Sequence, residues 1–243
     1  MIYAFAILPA PMPSIEPQGI QDRIHYLQVG DLVAVVETEI NVQVLEQAGE
    51  EQLLQAVLGH DRLIGELFSA LFEQSSSLLP LRFGTVFLSQ SALEEYLRSN
   101  HTSLVDRLQQ LSGCSEYVLK GKFTPPKISQ PAEDLKGKDY LVAKRTLYLQ
   151  QQQVRSKQQE EYNDLLALLN ASSQEIQTGV AQTAEDIKAF ILLNSTQAQS
   201  IRESLTQWQS QHPAWQLDLS EALPPYHFAD RDSNTKTPLI NPS

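Results

Sequence analysis

Cysteine is nearly missing: Cys114 is the only one among 243 residues. A single thiol excludes an internal disulfide framework and leaves too few thiolates for the usual structural zinc sites, which fits a reducing cytoplasm. Cations are scarce as well, 18 Lys and Arg against 29 Asp and Glu, and no basic run is longer than Lys144-Arg145. Phosphate is bound by clustered cations, so nucleic acid is not the expected partner. The ten glycines are scattered. They form no Gly-x-Gly-x-x-Gly or other phosphate-cradling loop, and a nucleotide site is unsupported. No stretch reaches the roughly 20 apolar residues that span a bilayer, and the best candidates are interrupted by Glu, Asp or Arg. The apolar start, Met1 to Leu8, lacks a basic n-region and runs into Pro9, Pro11 and Pro13; it reads as a strand, not a signal peptide.

Hydrophobic residues make up 42% of the chain, enough for a sizeable core, and the length suits two domains of roughly 120 residues each. Charged residues, at 19%, fall below the average of about 25%, and Gln and Ser fill the difference. Ile2 to Leu8 is a continuous apolar run ended by proline, as in a strand buried on both faces. Ile24 to Val29 and Leu32 to Glu37 follow as strands around Gly30-Asp31, a hairpin loop in which glycine supplies the positive φ.

From Glu50 to Phe72, leucines and phenylalanines recur at three- and four-residue spacing, predicting a helix whose inner face includes Leu54, Leu58, Leu63, Ile64 and Leu67. Pro80 to Phe87 reads as a β segment. Ser89 opens a second helix with Leu93, Leu97, Leu104, Leu108 and Leu111 inward, and Ser91, Glu94 and Glu95 support its N-terminus. The second unit begins near Gly113. It reads as a strand at 116–123, a mobile connection at 124–138, a long Gln-rich helix at about 139–177, a strand at 183–193, a helix at 195–211 and a strand at 215–219. That order is close to a ferredoxin-like α+β domain. The expectation is thus an α+β protein. Residues 1–113 form an N-terminal mixed sheet with covering helices, residues 114–228 a ferredoxin-like domain with one long helix, and residues 229–243 a loosely ordered tail.

Candidate chemistry is sparse. His60-Asp61 resembles a metal-dependent phosphohydrolase pair, but His25, His101, His212 and His227 sit singly, without metal-ligand spacing. The simpler reading puts His60, Asp61 and Arg62 on the polar face of a helix. Arg82, between Leu81 and Phe83 in the expected strand, either ties a helix carboxylate such as Asp61 or Glu66 to the sheet or belongs to a docking surface. Ser75-Ser76-Ser77 lacks a nucleophile-elbow setting, and Cys114 lacks a neighbouring base. Pro225, Tyr226 and Phe228 form an aromatic cluster that is either a partner anchor or, more simply, an intramolecular staple. No catalytic residue, cofactor or metal is expected.

Three segments carry a family resemblance. Gly59-His60-Asp61-Arg62 is followed by Leu79-Pro80-Leu81-Arg82-Phe83-Gly84-Thr85-Val86-Phe87; Glu116-Tyr117-Val118-Leu119-Lys120 opens the second unit; Leu223-Pro224-Pro225-Tyr226-His227-Phe228 lies near the end. Together they resemble the gas vesicle protein F/L family across Ile2 to Phe228. The one departure is Glu221, Ala222 and Leu223, where the family ending usually has a Gly and a Trp. The resemblance implies a non-enzymatic accessory or minor structural protein of gas vesicle formation. Its implied partner is the major gas vesicle shell protein, with other gas vesicle accessory proteins besides, and its place is the gas vesicle within the cytoplasm. Arg82, Phe83, Asp61, Pro225, Tyr226 and Phe228 are the candidate structural or docking residues. The alternative is a ferredoxin-like module that binds a small ligand or regulates an unrelated enzyme.

Overall fold

The structure, a computed structural model, describes residues 1–38, 40, 49–130, 136–179 and 186–229. The tail expected from 229 onward lies almost wholly outside the described residues, as does part of the connection at 124–138. Contacts divide the chain into two compact units: residues 1–116 with 222–243, and residues 117–221.

The first unit is built on β1 (Ile2–Pro9), β2 (His25–Val29) and β3 (Leu32–Glu37). Two short strands, β4 (Leu79–Pro80) and β5 (Val86–Phe87), complete its sheet, whose order is β2-β3-β1-β4, with β5 also pairing β1. All ladders on β1 are antiparallel. Central β1 is buried along nearly its whole length, as its unbroken apolar sequence requires. A bulge between Ala4 and Ala6 resets the alternation, so Tyr3, Phe5, Ala6 and Leu8 all join one core cluster. An unbulged strand would have placed Ala6 and Leu8 opposite Tyr3 and Phe5. The β2–β3 hairpin turns at Gly30, φ 64°, as expected.

Helix α1 (Glu50–Glu73) covers this cluster. Its buried residues are Ala56, His60, Leu63, Ile64, Leu67 and Leu71, while Leu54 and Leu58 remain 55% and 52% exposed. The inner face is thus rotated from the predicted one in the first half of the helix. Small Ala56 and hydrogen-bonded His60 occupy positions that leucine spacing alone assigns elsewhere. The expected second helix is two: α2 (Gln90–Ser99), capped by the Ser89 side chain accepting from Ala92 N–H, and α3 (His101–Leu111). Leu93, Leu97, Leu108 and Leu111 are buried.

The second unit runs β6 (Cys114–Phe123, its first residues grouped with the first unit), α4 (Gly137–Ser172), β7 (Glu175–Thr178), β8 (Asp186–Asn194), α5 (Ser195–Gln211) and β9 (Trp215–Leu219). Its sheet order, β7-β8-β6-β9, is the ferredoxin-like arrangement of a βαββαβ chain. The long helix stops at Ser172 rather than reaching 177, because Glu175–Thr178 pairs with β8 from Glu175↔Leu192 to Thr178↔Ala189. Asn194 and Gln197 form a reciprocal capping box at the start of α5. That cap satisfies two otherwise free backbone donors.

Candidate functional site

In the first unit, the chemistry-bearing residues are structural fastenings. His60 is 1% exposed, and its ring lies against Phe5 and edge-on to Phe83. The Tyr3 hydroxyl accepts from Gly84 N–H at 3.1 Å and faces His60 Nδ1 at 2.9 Å, while His60 Nε2 lies 3.0 Å from the Leu81 carbonyl. A carbonyl can only accept, so Nε2 carries the imidazole proton and Nδ1 accepts from Tyr3. Burial lowers the His60 pKa and raises that of Tyr3, so both groups are held neutral. His60 thereby ties α1 to β1 and to the 81–84 turn. It is a core residue, not part of a polar helix face as its neighbours in sequence suggest.

A second fastening uses Glu37, 1% exposed at the end of β3. Its carboxylate accepts from the backbone N–H groups of Ile20, Gln21 and Asp22 at 2.6–2.9 Å. A Cβ at Gly19 would fall 2.2 Å from Glu37 Oε2 and 2.4 Å from the Asp22 carbonyl oxygen, so only glycine lets the loop close on the carboxylate. Arg62 on α1 donates to the Gln18 and Gly19 carbonyls. Nothing in the local sequence pairs Glu37 with a loop 15 to 17 residues upstream, and sequence reasoning missed it.

The segment 222–229 is grouped with the first unit. Leu223 bridges Glu116 in antiparallel fashion, and the Glu116 carboxylate accepts from His227 N–H and His227 Nδ1, both at 2.8 Å. Tyr226–Phe228 forms a short 3-10 turn. The Phe228 side chain is 0% exposed and its carbonyl accepts from Arg107 Nε at 2.5 Å.

The six residues singled out from sequence divide as follows. Asp61 and Tyr226 meet, the phenol donating to Asp61 Oδ1 at 3.2 Å, and burial raises the Tyr226 pKa. Phe83 and Tyr226 pack on the core cluster, and Pro225 and Phe228 are buried. Arg82 is exposed outside any strand, in the turn between β4 and β5, so the expected strand placement does not hold. A hydrogen bond from Thr85 N–H to the Arg82 carbonyl closes that turn. Among the described residues no ion pair joins Arg82 to Asp61 or Glu66; Glu66 is paired with Arg62 at 3.8 Å. No group of three or more His, Cys, Asp or Glu that could hold a metal occurs among the described residues.

In the second unit, α4 has two dissimilar halves. From Glu161 onward it is anchored: Glu161, Leu165 and Leu169 are buried, and the Glu161 carboxylate accepts from Trp215 Nε1 at 2.9 Å. The first half lies in solvent. Tyr140, Leu141, Val142, Tyr148 and Leu149 are 40–66% exposed, and among the described residues no other element displays so many exposed large apolar side chains. No described helix is long and apolar enough to cross a membrane. Clustered exposed apolar side chains are a common feature of interaction surfaces.

The family model for gas vesicle synthesis protein GvpL/GvpF matches residues 1–230. The fold resembles the crystal structure of gas vesicle protein GvpF from Microcystis aeruginosa: TM-score 0.67, 19% identity, covering 94% of this chain and 98% of that one. It resembles GvpF from Anabaena sp. PCC7120 to the same degree: TM-score 0.67, 16% identity, covering 95% of this chain and 96% of the other. No curated protein sequence matches. At such identities the two structures establish the fold alone, whereas the family match spans both units. The chain belongs to the gas vesicle synthesis protein GvpL/GvpF family, and its role lies in gas vesicle formation.

Proposed function

We propose that this protein is a non-enzymatic gas vesicle assembly protein that binds the hydrophobic shell protein in the cytoplasm, where vesicles form. The observation that carries the reading is the exposed apolar half of α4, five large side chains within residues 140–149 on a chain of net charge −11. A shell that keeps water out of a gas space must be strongly apolar, and its subunit is prone to aggregate before assembly. An acidic protein that lends one apolar face to that subunit shields it while remaining dispersed. Tyr140, Tyr148 and the leucines beside them offer large contact areas that lose little side-chain entropy on docking.

Co-purification with the shell protein, and retention by washed intact vesicles, tests the proposal. The wild-type chain is expected to co-purify, and Leu141→Ser/Tyr148→Ser to lose most of the bound shell protein. These positions are exposed, so the fold should survive substitution. Binding only to unassembled shell protein marks a chaperone, and retention on intact vesicles a shell component. Absence of binding in every format favours the small-ligand module instead.

A further inference from the structure

The exposed half of α4 carries a charge opposite to that of the chain as a whole. Between Asp139 and Glu160 there is no carboxylate, whereas Lys144, Arg145, Arg155 and Lys157 lie in that interval, on a chain of net charge −11. At about 100° per residue, Leu141, Arg145, Tyr148 and Leu149 share the side away from Glu161, the residue that anchors the helix. Cations and apolar groups are therefore interleaved on one outward face. Lys157 is spoken for, 3.6 Å from Glu161, and Lys144 Nζ lies 5.6 Å over the Tyr140 ring. Among the described residues, no carboxylate pairs with Lys144, Arg145 or Arg155.

A solvated face on an acidic protein has no need to exclude carboxylates over so long an interval. Salt bridges at i,i+4 would be the ordinary means of stabilising an exposed helix, and the same chain uses one on α1, between Arg62 and Glu66. Leu141, Tyr148 and Leu149, at i, i+7 and i+8, form an outward apolar stripe against which a second helix can pack, with Arg145 within it and Lys144 and Arg155 along its edge. Cations beside the seam select a partner with carboxylates beside its own and repel a basic one.

We infer that the outward face of this half of α4 docks an amphipathic helical segment of the shell protein whose apolar stripe is bordered by carboxylates. The inference rests on the proposed function and specifies which part of the partner is taken. Apolar contact supplies the adhesion; the cations set register, approach rate and choice of segment. Attraction across such a rim is screened by salt.

The test uses the full-length protein and immobilised overlapping synthetic peptides covering the shell protein, with retention measured at low salt and at about 0.5 M NaCl. Retention should concentrate on peptides with an amphipathic helical pattern bordered by Asp or Glu, and weaken at high salt. Lys144→Glu/Arg145→Glu, with unchanged circular dichroism, should lower it about tenfold. Changing the peptide's bordering carboxylates to lysine should restore binding to that variant. Equal retention of the charge-reversed variant and wild type overturns the inference and leaves shell binding intact, as does preference for peptides without carboxylates. Failure of wild type to bind any shell peptide or whole vesicles overturns the underlying reading. Retention by phosphatidylglycerol vesicles but by no peptide replaces both with a lipid-surface role.

Discussion

Replacing His60 by alanine removes a buried ring, the acceptor of the Tyr3 hydroxyl proton and the donor to the Leu81 carbonyl. Loss of the packed ring and of two hydrogen bonds should cost about 3 kcal/mol at neutral pH, read from urea unfolding. The same residue gives the first unit an acid sensitivity of definite sign. Burial holds the His60 pKa below its ordinary value in the folded chain, so on acidification the unfolded chain takes up the proton first. The contribution is complete above about pH 6.5, the ordinary histidine value, and is lost as pH falls from there through the lower folded-state pKa. His60→Gln should flatten that part of the stability profile, the other four histidines being unchanged; a profile as steep as wild type would refute the assignment. From sequence, His60 was visible but misplaced: Asp61 and Arg62 do face outward, and the hydrogen-bond partners that admit an imidazole to the core lie 57 and 21 residues away. Glu37 was hidden for the same reason, its three donors belonging to a loop upstream of a hairpin.

At the scale of elements, α4 should answer identical substitutions differently along its length. Leu165 is fully buried, and Leu165→Ala should cost about 2–5 kcal/mol. Leu141 is 65% exposed, and Leu141→Ala should change stability by no more than about 0.5 kcal/mol while weakening shell-protein binding. Circular dichroism melts and co-purification of the two variants separate these effects. Element identity was largely legible: β1, the β2–β3 hairpin, α5 and β9 follow from apolar runs, alternation and turn chemistry that act within a few residues. The errors occurred where a partner decides. Residues 175–178 continue a helical pattern, yet pair with β8, and 80–87 is β-rich in composition but turns around Gly84, φ 86°, leaving only its two ends in the sheet. The exposed apolar face of α4 could not be told from a buried one, since periodicity records amphipathicity and not what covers it.

For the whole molecule, the family resemblance was legible because its motifs span both units, and the family match over residues 1–230 agrees. The destination of 222–229 was not, because a six-residue aromatic motif carries no address. Its side chains should act on the first unit alone. Phe228 is fully buried, and Phe228→Ala should cost about 3–5 kcal/mol. By hydrogen exchange, faster exchange should appear in peptides from residues 1–116, with those from 117–221 holding their protection. Uniform acceleration across both units would show that they melt as one.

Because the first unit draws on residues at both ends of the second, its completion has a timetable. Synthesis proceeds at about 5–20 residues per second, so on the order of ten seconds separates the appearance of Glu116 from that of Phe228. During that interval the second unit is already emerging, while Arg107 and Glu116 wait without the backbone groups and aromatic ring that later cover them. A nascent chain is therefore most open to rescue, or to mispairing, before residues 222–228 have left the ribosome.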